Sequence, residues 1–171
     1  MLPVPDWTDR RFPTGLPISI APYVIERLRG TPARLADRVR DLPRSHLTRR
    51  DGELWSIQEH AGHLLDLEAL HLARLDDYDR GVDTLTAADM TNRATFDADH
   101  NAKDIADILA GLGAIRGGLV ARLEAMTESE LARSALHPRL QVQMSLLDSA
   151  HFFAEHDDHH LAQITDILAR C

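Results

Sequence analysis

The stretch from Asn101 to Met126, NAKDIADILAGLGAIRGGLVARLEAM, decides the fold class. Ile105, Ile108, Leu109, Leu112, Ile115, Leu119, Leu123 and Met126 recur at three- and four-residue steps, which places them on one face of a helix. A helix with one apolar face has to bury it against other elements. Three more segments carry the same pattern. Ser19 to Leu42 contributes Tyr23, Val24, Leu28, Leu35, Val39 and Leu42, with Ser19 as the N-cap and Pro22 in the first turn. Gly30-Thr31-Pro32 interrupts it, because proline removes an amide donor and crowds the preceding turn; a kink or two shorter helices is expected. Ser56 to Tyr78 opens with the capping box Ser56-Ile57-Gln58-Glu59, and Trp55 stands ready to staple its start. Ser145 to Ala169 has Leu146, Ala150, Phe153, Leu161, Ile164 and Leu168 on one face. Strand signals are poor, since no period-two run is sustained. The expectation is an all-α, four-helix bundle with long connections at 79–100 and 127–144.

Residues 1–16 hold Pro3, Pro5, Pro13 and Gly15 and read as an N-terminal arm, extended rather than part of the core, before a bundle domain at 17–171. The chain has 171 residues, enough for one domain with a proper core. Its 27 acidic and 19 basic residues give a net charge of −8, which speaks against DNA, RNA or anionic lipid as partners. No apolar run reaches membrane-spanning length, and the first residues lack a basic start and an apolar core, so neither a membrane span nor a signal peptide is expected. Cys171 stands alone and offers no internal disulfide, which makes a reducing cytoplasm the default location.

The chain carries ten histidines, and seven of them fall on two of the expected helices: His60, His63 and His71 on one, His151, His156, His159 and His160 on the other. His156 and His160, one helical turn apart, can present two imidazoles to one point; a third from a facing helix completes a three-ligand metal site with an open position. On the helical wheel His160 lies in the apolar face, His156 at its shoulder and His159 far round on the solvent side. On the other helix the wheel allows His60 or His63. Asp157 and Glu68 fall on apolar faces, and a buried carboxylate wants a partner. For Asp157 that partner is a metal-bound histidine, or the metal itself.

Two stretches resemble the DinB-like (damage-inducible) superfamily. Trp55-Ser56-Ile57-Gln58-Glu59-His60-Ala61-Gly62-His63-Leu64 is similar to the opening of that family's second helix, with Trp-Ser and a histidine eight residues after the tryptophan. Glu155-His156-Asp157-Asp158-His159-His160-Leu161-Ala162-Gln163-Ile164 is similar to its fourth-helix signature, and His137-Pro138-Arg139 also looks like a family feature. The resemblance spans roughly residues 20–169. It implies a four-helix bundle whose metal is held by His63, His156 and His160, deciding for His63 over His60. It further implies a divalent cation, Zn or Ni first and Fe as the alternative, with a low-molecular-weight thiol such as bacillithiol, mycothiol or glutathione as cofactor. The expected activity is a metal-dependent thiol transferase, isomerase or hydrolase acting on a small molecule, in a homodimer. Asp157 is the candidate catalytic residue, orienting His60 or a ligand histidine. Arg116 is the candidate for binding a carboxylate of the thiol; its plainer reading is a surface ion pair.

A second hypothesis is a non-enzymatic metal-binding or stress-response module on the same fold. It requires Glu59, Glu68 or Asp157 to close the coordination sphere. A di-iron bundle is disfavoured, since that plan needs Glu-x-x-His on two helices and only Glu68-Ala69-Leu70-His71 fits. The chain has no His-Glu-x-x-His for zinc-protease chemistry.

Overall fold

The computed structural model describes residues 3–170, which leaves Cys171 outside the described residues. Four long helices dominate: α1 (Ala21–Val39), α2 (Ile57–Arg80), α3 (Ile105–Ala125) and α4 (Leu146–Ala169). Helix α1 starts without a side-chain cap: Ser19, expected as its N-cap, lies in a 3-10 turn at Ile18–Ile20 that leads straight into the helix, Ile20 holds the cap position, and Pro22 sits in the first turn as expected. The other three starts have a chemical reason. Ser56 caps α2 and Glu59 reaches back to the Ser56 amide, and Ser145 with Asp148 does the same for α4. The Asp104 side chain accepts the Ala106 amide at the start of α3. Trp55 packs on His60, the fourth residue of α2, with ring centroids 5.5 Å apart, as a staple should. The α2 helix ends where Gly81 turns left-handed at φ 66°.

Helix α1 runs unbroken through Pro32, where a kink or a split was expected. Pro32 has no amide proton to give the Leu28 carbonyl one turn back. That carbonyl instead accepts from Arg116 Nη1 at 3.2 Å, so a buried side chain from another helix repairs the gap.

The bundle forms in an order that sequence neighbours alone would not suggest. Helix α1 packs on α3 and α4, and α2 also packs on α3 and α4, so α1 and α2 lie diagonally across the bundle. Helices α2 and α4 run antiparallel: Tyr78 near the end of α2 bonds Ser149 near the start of α4, while His63 near the start of α2 meets His160 further along α4. The core divides into two apolar clusters. One holds Leu28, Leu75, Leu119 and Ala154; the other holds Leu35, Leu64, Leu112 and Leu161. Between them each helix contributes one polar residue: Thr31, Glu68, Arg116 and Asp157, none more than 1% exposed.

Residues 134–145, expected to be irregular, form a hairpin of β1 (Ser134–His137) and β2 (Val142–Ser145), in antiparallel register from Ser134↔Ser145 to His137↔Val142. Four-residue strands are too short to show a period-two pattern. The long connection after α2 is partly ordered by a short helix at Arg93–Asp97, and Leu85 and Leu136 tie it to the hairpin through backbone bonds.

The arm is more than an extended appendage. Trp7, Phe12 and Leu16 pack against the first apolar cluster. The Asp148 carboxylate accepts the Gly15 and Leu16 amides at 3.0 Å each, and Arg10 pairs with Glu155. No helix among the described residues is long and apolar enough to cross a membrane.

Candidate metal centre

His63, seven residues into α2, and His156 and His160 in the middle of α4 converge. Each offers a ring nitrogen, and the three lie within 4.8 Å of one another. The antiparallel packing of α2 on α4 brings them together, and the one-turn spacing on α4 aligns the second pair. His156 Nε2 and His160 Nε2 are 3.2 Å apart. Two of the outward nitrogens are held from behind. His63 Nδ1 lies 2.9 Å from the Thr95 hydroxyl, and His160 Nδ1 lies 2.8 Å from His60 Nδ1. His156 Nδ1 is buried and has no hydrogen-bond partner among the described residues.

Burial keeps these rings neutral. Desolvation, then the charge His63 would carry, pushes His60 down to about 3; desolvation pushes His63 down to about 4 against the pull of Asp66. His156 and His160 are held well below the ordinary histidine value, mainly by desolvation. A neutral imidazole has the lone pair a metal needs, so the set is ready to ligate without first losing protons.

Other sequence candidates stand elsewhere. Asp157 is fully buried, as the wheel indicated, but its partners are Arg116 Nη1 at 2.5 Å and the Thr31 hydroxyl at 2.8 Å, not a histidine. Arg116 is neither on the surface nor in the cavity; it is 1% exposed and its donors are taken by Glu68, Asp157 and the Leu28 carbonyl. Its assignment to a thiol carboxylate is therefore corrected, as is a direct action of Asp157 on a histidine. Burial alone would raise Glu68, but hydrogen bonds from His71 and Arg116 outweigh it and hold it down to about 2. Glu59 is used by Arg50 and the α2 cap. Each of the three carboxylates that could have closed the coordination sphere is thus committed to other partners.

His159 is not on the solvent side. It is 8% exposed because Trp7 of the arm covers it, ring centroids 5.7 Å apart, and Trp7 also meets His156 edge-on at 4.9 Å. A wheel drawn for α4 alone cannot register cover from residue 7. On the other side Trp55 lies 4.8 Å from His63. Trp7 and Thr95 went unassigned in the sequence, and no local pattern marks either.

The three histidines open onto a cavity of about 580 Å³. Trp7 and Trp55 form part of its walls, with Phe152 and Phe153, and His71, Arg74, His137 and Arg139 line it too. The donor set fits a borderline divalent ion: three imidazoles, no thiolate, and space beside them.

The sequence model of the DinB superfamily matches residues 27–164. Among solved structures, the chain is similar to YfiT from Bacillus subtilis, described as a probable metal-dependent hydrolase with an unusual four-helix bundle topology. The identity is 23% over 94% of this chain and 93% of that one, with a TM-score of 0.82. It is also similar to a mycothiol-dependent maleylpyruvate isomerase, at 9% identity and a TM-score of 0.66, over 86% of this chain and 60% of that one. At these identities what is shared is the fold. No curated protein sequence matches the chain.

Proposed function

The chain belongs to the DinB superfamily, and from that premise we propose that it is a metal-dependent enzyme acting on a small molecule, with a low-molecular-weight thiol as cosubstrate. The observation that carries this reading is a trio of neutral imidazoles, His63, His156 and His160, opening onto a cavity of about 580 Å³ with no carboxylate completing the set. That arrangement favours an open coordination position over the closed sphere of a metal-storage or purely structural module. The described activities of the two similar structures, a probable metal-dependent hydrolase and a mycothiol-dependent isomerase, support the same class.

Zinc or nickel suits the donor set, with iron as the alternative. A divalent ion held there would act as a Lewis acid and lower the pKa of a water or thiol at its open position. The protein's own groups prepare the site. With a metal on His63 Nε2, the Thr95 hydroxyl 2.9 Å from Nδ1 would accept the proton there and hold the ring in that tautomer. With a metal on its Nε2, His160 would keep its proton on Nδ1 and donate it to His60 Nδ1, 2.8 Å away. His60 is thereby a positioning residue, which is the role the sequence left open. Trp7 packs against His156 and Trp55 against His63, which holds those rings in place.

The test is metal analysis of natively purified protein, followed by a screen of small-thiol conjugation with and without the metal. His160→Ala should lose the metal while its helical content is kept. Full metal retention in that variant would sink the ligand assignment. A full metal site with no conjugation by any thiol would defeat the enzymatic reading.

A further inference from the structure

Away from the histidine trio, the same cavity has a second polar end, built by α2, the β1 strand and the turn after it. Arg74 is 3% exposed, and its one hydrogen bond among the described residues runs from Nε to the Thr86 carbonyl at 3.0 Å. That bond fixes the fork and leaves both Nη groups without a protein partner. Arg139 has no ion pair or hydrogen bond among the described residues, and its Nη2 is buried. His137 is 2% exposed. Its Nδ1 accepts the Leu140 amide at 3.2 Å, so the proton sits on Nε2, and that N–H is buried without an acceptor. All three residues line the cavity.

Asp77, three residues on, pulls on Arg74 only at a distance, its carboxylate being bonded to Arg80 and the Thr86 amide. Neither arginine has a carboxylate within ion-pair distance among the described residues, in a chain whose net charge is −8. The one carboxylate on the cavity lining is Asp89, which is exposed and spent on Thr91 and the Arg93 amide. The groups also sense one another. Desolvation, then the two guanidinium charges, pushes His137 down to about 4; desolvation, against the pull of Tyr78 and Asp77 and with a smaller push from Arg139, brings Arg74 down to about 10. Leaving the Nη groups of buried Arg74, the buried Nη2 of half-buried Arg139 and the His137 Nε2–H without acceptors is costly unless an anion completes the set.

We propose that Arg74, Arg139 and His137 form a carboxylate-binding subsite, so that the cavity takes a small organic acid with its carboxylate on the arginines and its other end toward the three histidines. A planar guanidinium fork matches a carboxylate, and His137 Nε2 adds a third donor. The orientation rests on the metal-centre reading given above; the subsite itself does not.

The probe is succinate, titrated by calorimetry into the purified full chain with and without chelator, against succinamide and inorganic phosphate. Succinate should bind in both metal states, and succinamide should not. Arg139→Gln should weaken succinate about tenfold or more, a loss in line with one charged hydrogen-bond pair, with Arg139→Lys recovering part of it. Arg139 is half-buried, so this variant keeps the test usable if Arg74→Gln does not fold. Equal binding of succinamide, tighter binding of phosphate than of succinate, or no effect of Arg139→Gln overturns the proposal. Succinate binding that needs the metal and ignores Arg139 places the anion on the metal, which overturns the subsite and leaves the metal reading standing. Binding that persists in protein that never takes up metal upholds the subsite and defeats the metal reading. Glutathione as competitor tells which molecule brings the carboxylate. Displacement of succinate assigns it to the thiol and no displacement to the acid substrate, and either result upholds the subsite.

Discussion

Replacing Arg116 by methionine removes the guanidinium from a layer that holds two carboxylates, both 0% exposed. The wild-type side chain reaches Glu68 through Nε at 3.1 Å and Nη2 at 2.5 Å, Asp157 through Nη1 at 2.5 Å, and the Leu28 carbonyl at 3.2 Å. Breaking a buried pair from one side costs roughly 3–5 kcal/mol, because the stranded charge stays in a medium that solvates it poorly. The orphaned Leu28 carbonyl adds about 1 kcal/mol. A loss of about 4 kcal/mol or more lowers Tm by at least about 8 °C for a domain of this size. The pH dependence supplies a second signature. In the wild type Glu68 sits at about 2, below its usual value of 4.5, so its stabilisation is full above about pH 4.5 and is lost as pH falls toward 2. Without Arg116 only His71 is left to oppose the desolvation of Glu68, so that carboxylate rises from its wild-type position, and the variant's deficit is full at neutral pH and shrinks as pH falls toward 4.5. Urea denaturation followed by circular dichroism, at about pH 7 and about pH 5, measures both. A deficit below about 1 kcal/mol, or one that grows on acidification, refutes the reasoning. Pro32→Ala gives a sharper control. It restores an amide donor for Leu28, so it should stabilise the methionine variant more than the wild type, with a coupling of about 1 kcal/mol.

Three other outcomes are expected. A Cβ at Gly62 would overlap the His100 ring, so Gly62→Ala should cost roughly 1–3 kcal/mol and loosen the His100–Asp66 bond; an unchanged Tm would show that the ring moves aside freely. Trp7→Ala should cost about 1–2 kcal/mol, below the range for a fully buried aromatic, and hasten metal loss to chelator by uncovering His156 and His159; chelation kinetics equal to wild type would refute the shielding. His137, held at about 4 in the fold against an ordinary 6.5, binds its proton more readily when unfolded, so its stabilising part is lost as pH falls from about 6.5 to about 4. In His137→Gln that part is absent, and the stability difference from wild type should slope across this window by up to about 1.4 kcal/mol per pH unit; a flat difference counts against the assignment.

What the sequence revealed followed local rules. The capping box at Ser56 and the one-turn spacing of His156 and His160 are contained within single helices, and both were readable; the box at Ser145, closed by Asp148 rather than Glu, was not read. The choice of His63 over His60 came from the family resemblance, because a wheel cannot tell which of two adjacent faces meets α4. Arg116 was more legible than its first reading allowed: Leu112, Leu119 and Leu123 share its stripe, which places it in the core and calls for the carboxylates found there. The hidden parts depend on distant contacts. Cover of His159 by Trp7, support of His63 by Thr95, and the meeting of Arg74 with Arg139 each join segments far apart in the chain, where neither periodicity nor capping leaves a trace.

The docking of the arm has a consequence for how the protein comes into being. Arg10 meets Glu155 across 145 residues of sequence, and Trp7 rests on the helix that carries two of the three converging histidines. Contacts of such separation close late, because the intervening chain must be ordered before they return any free energy. During synthesis the arm emerges before α4, yet has no docking surface until that helix follows. A nascent chain stopped short of α4 therefore lacks His156, His160 and the surface that Trp7 covers, so it has neither the convergent trio nor its walled cavity. Metal binding by this trio would consequently be a late event in biogenesis, open only to a chain that has already made its last helix.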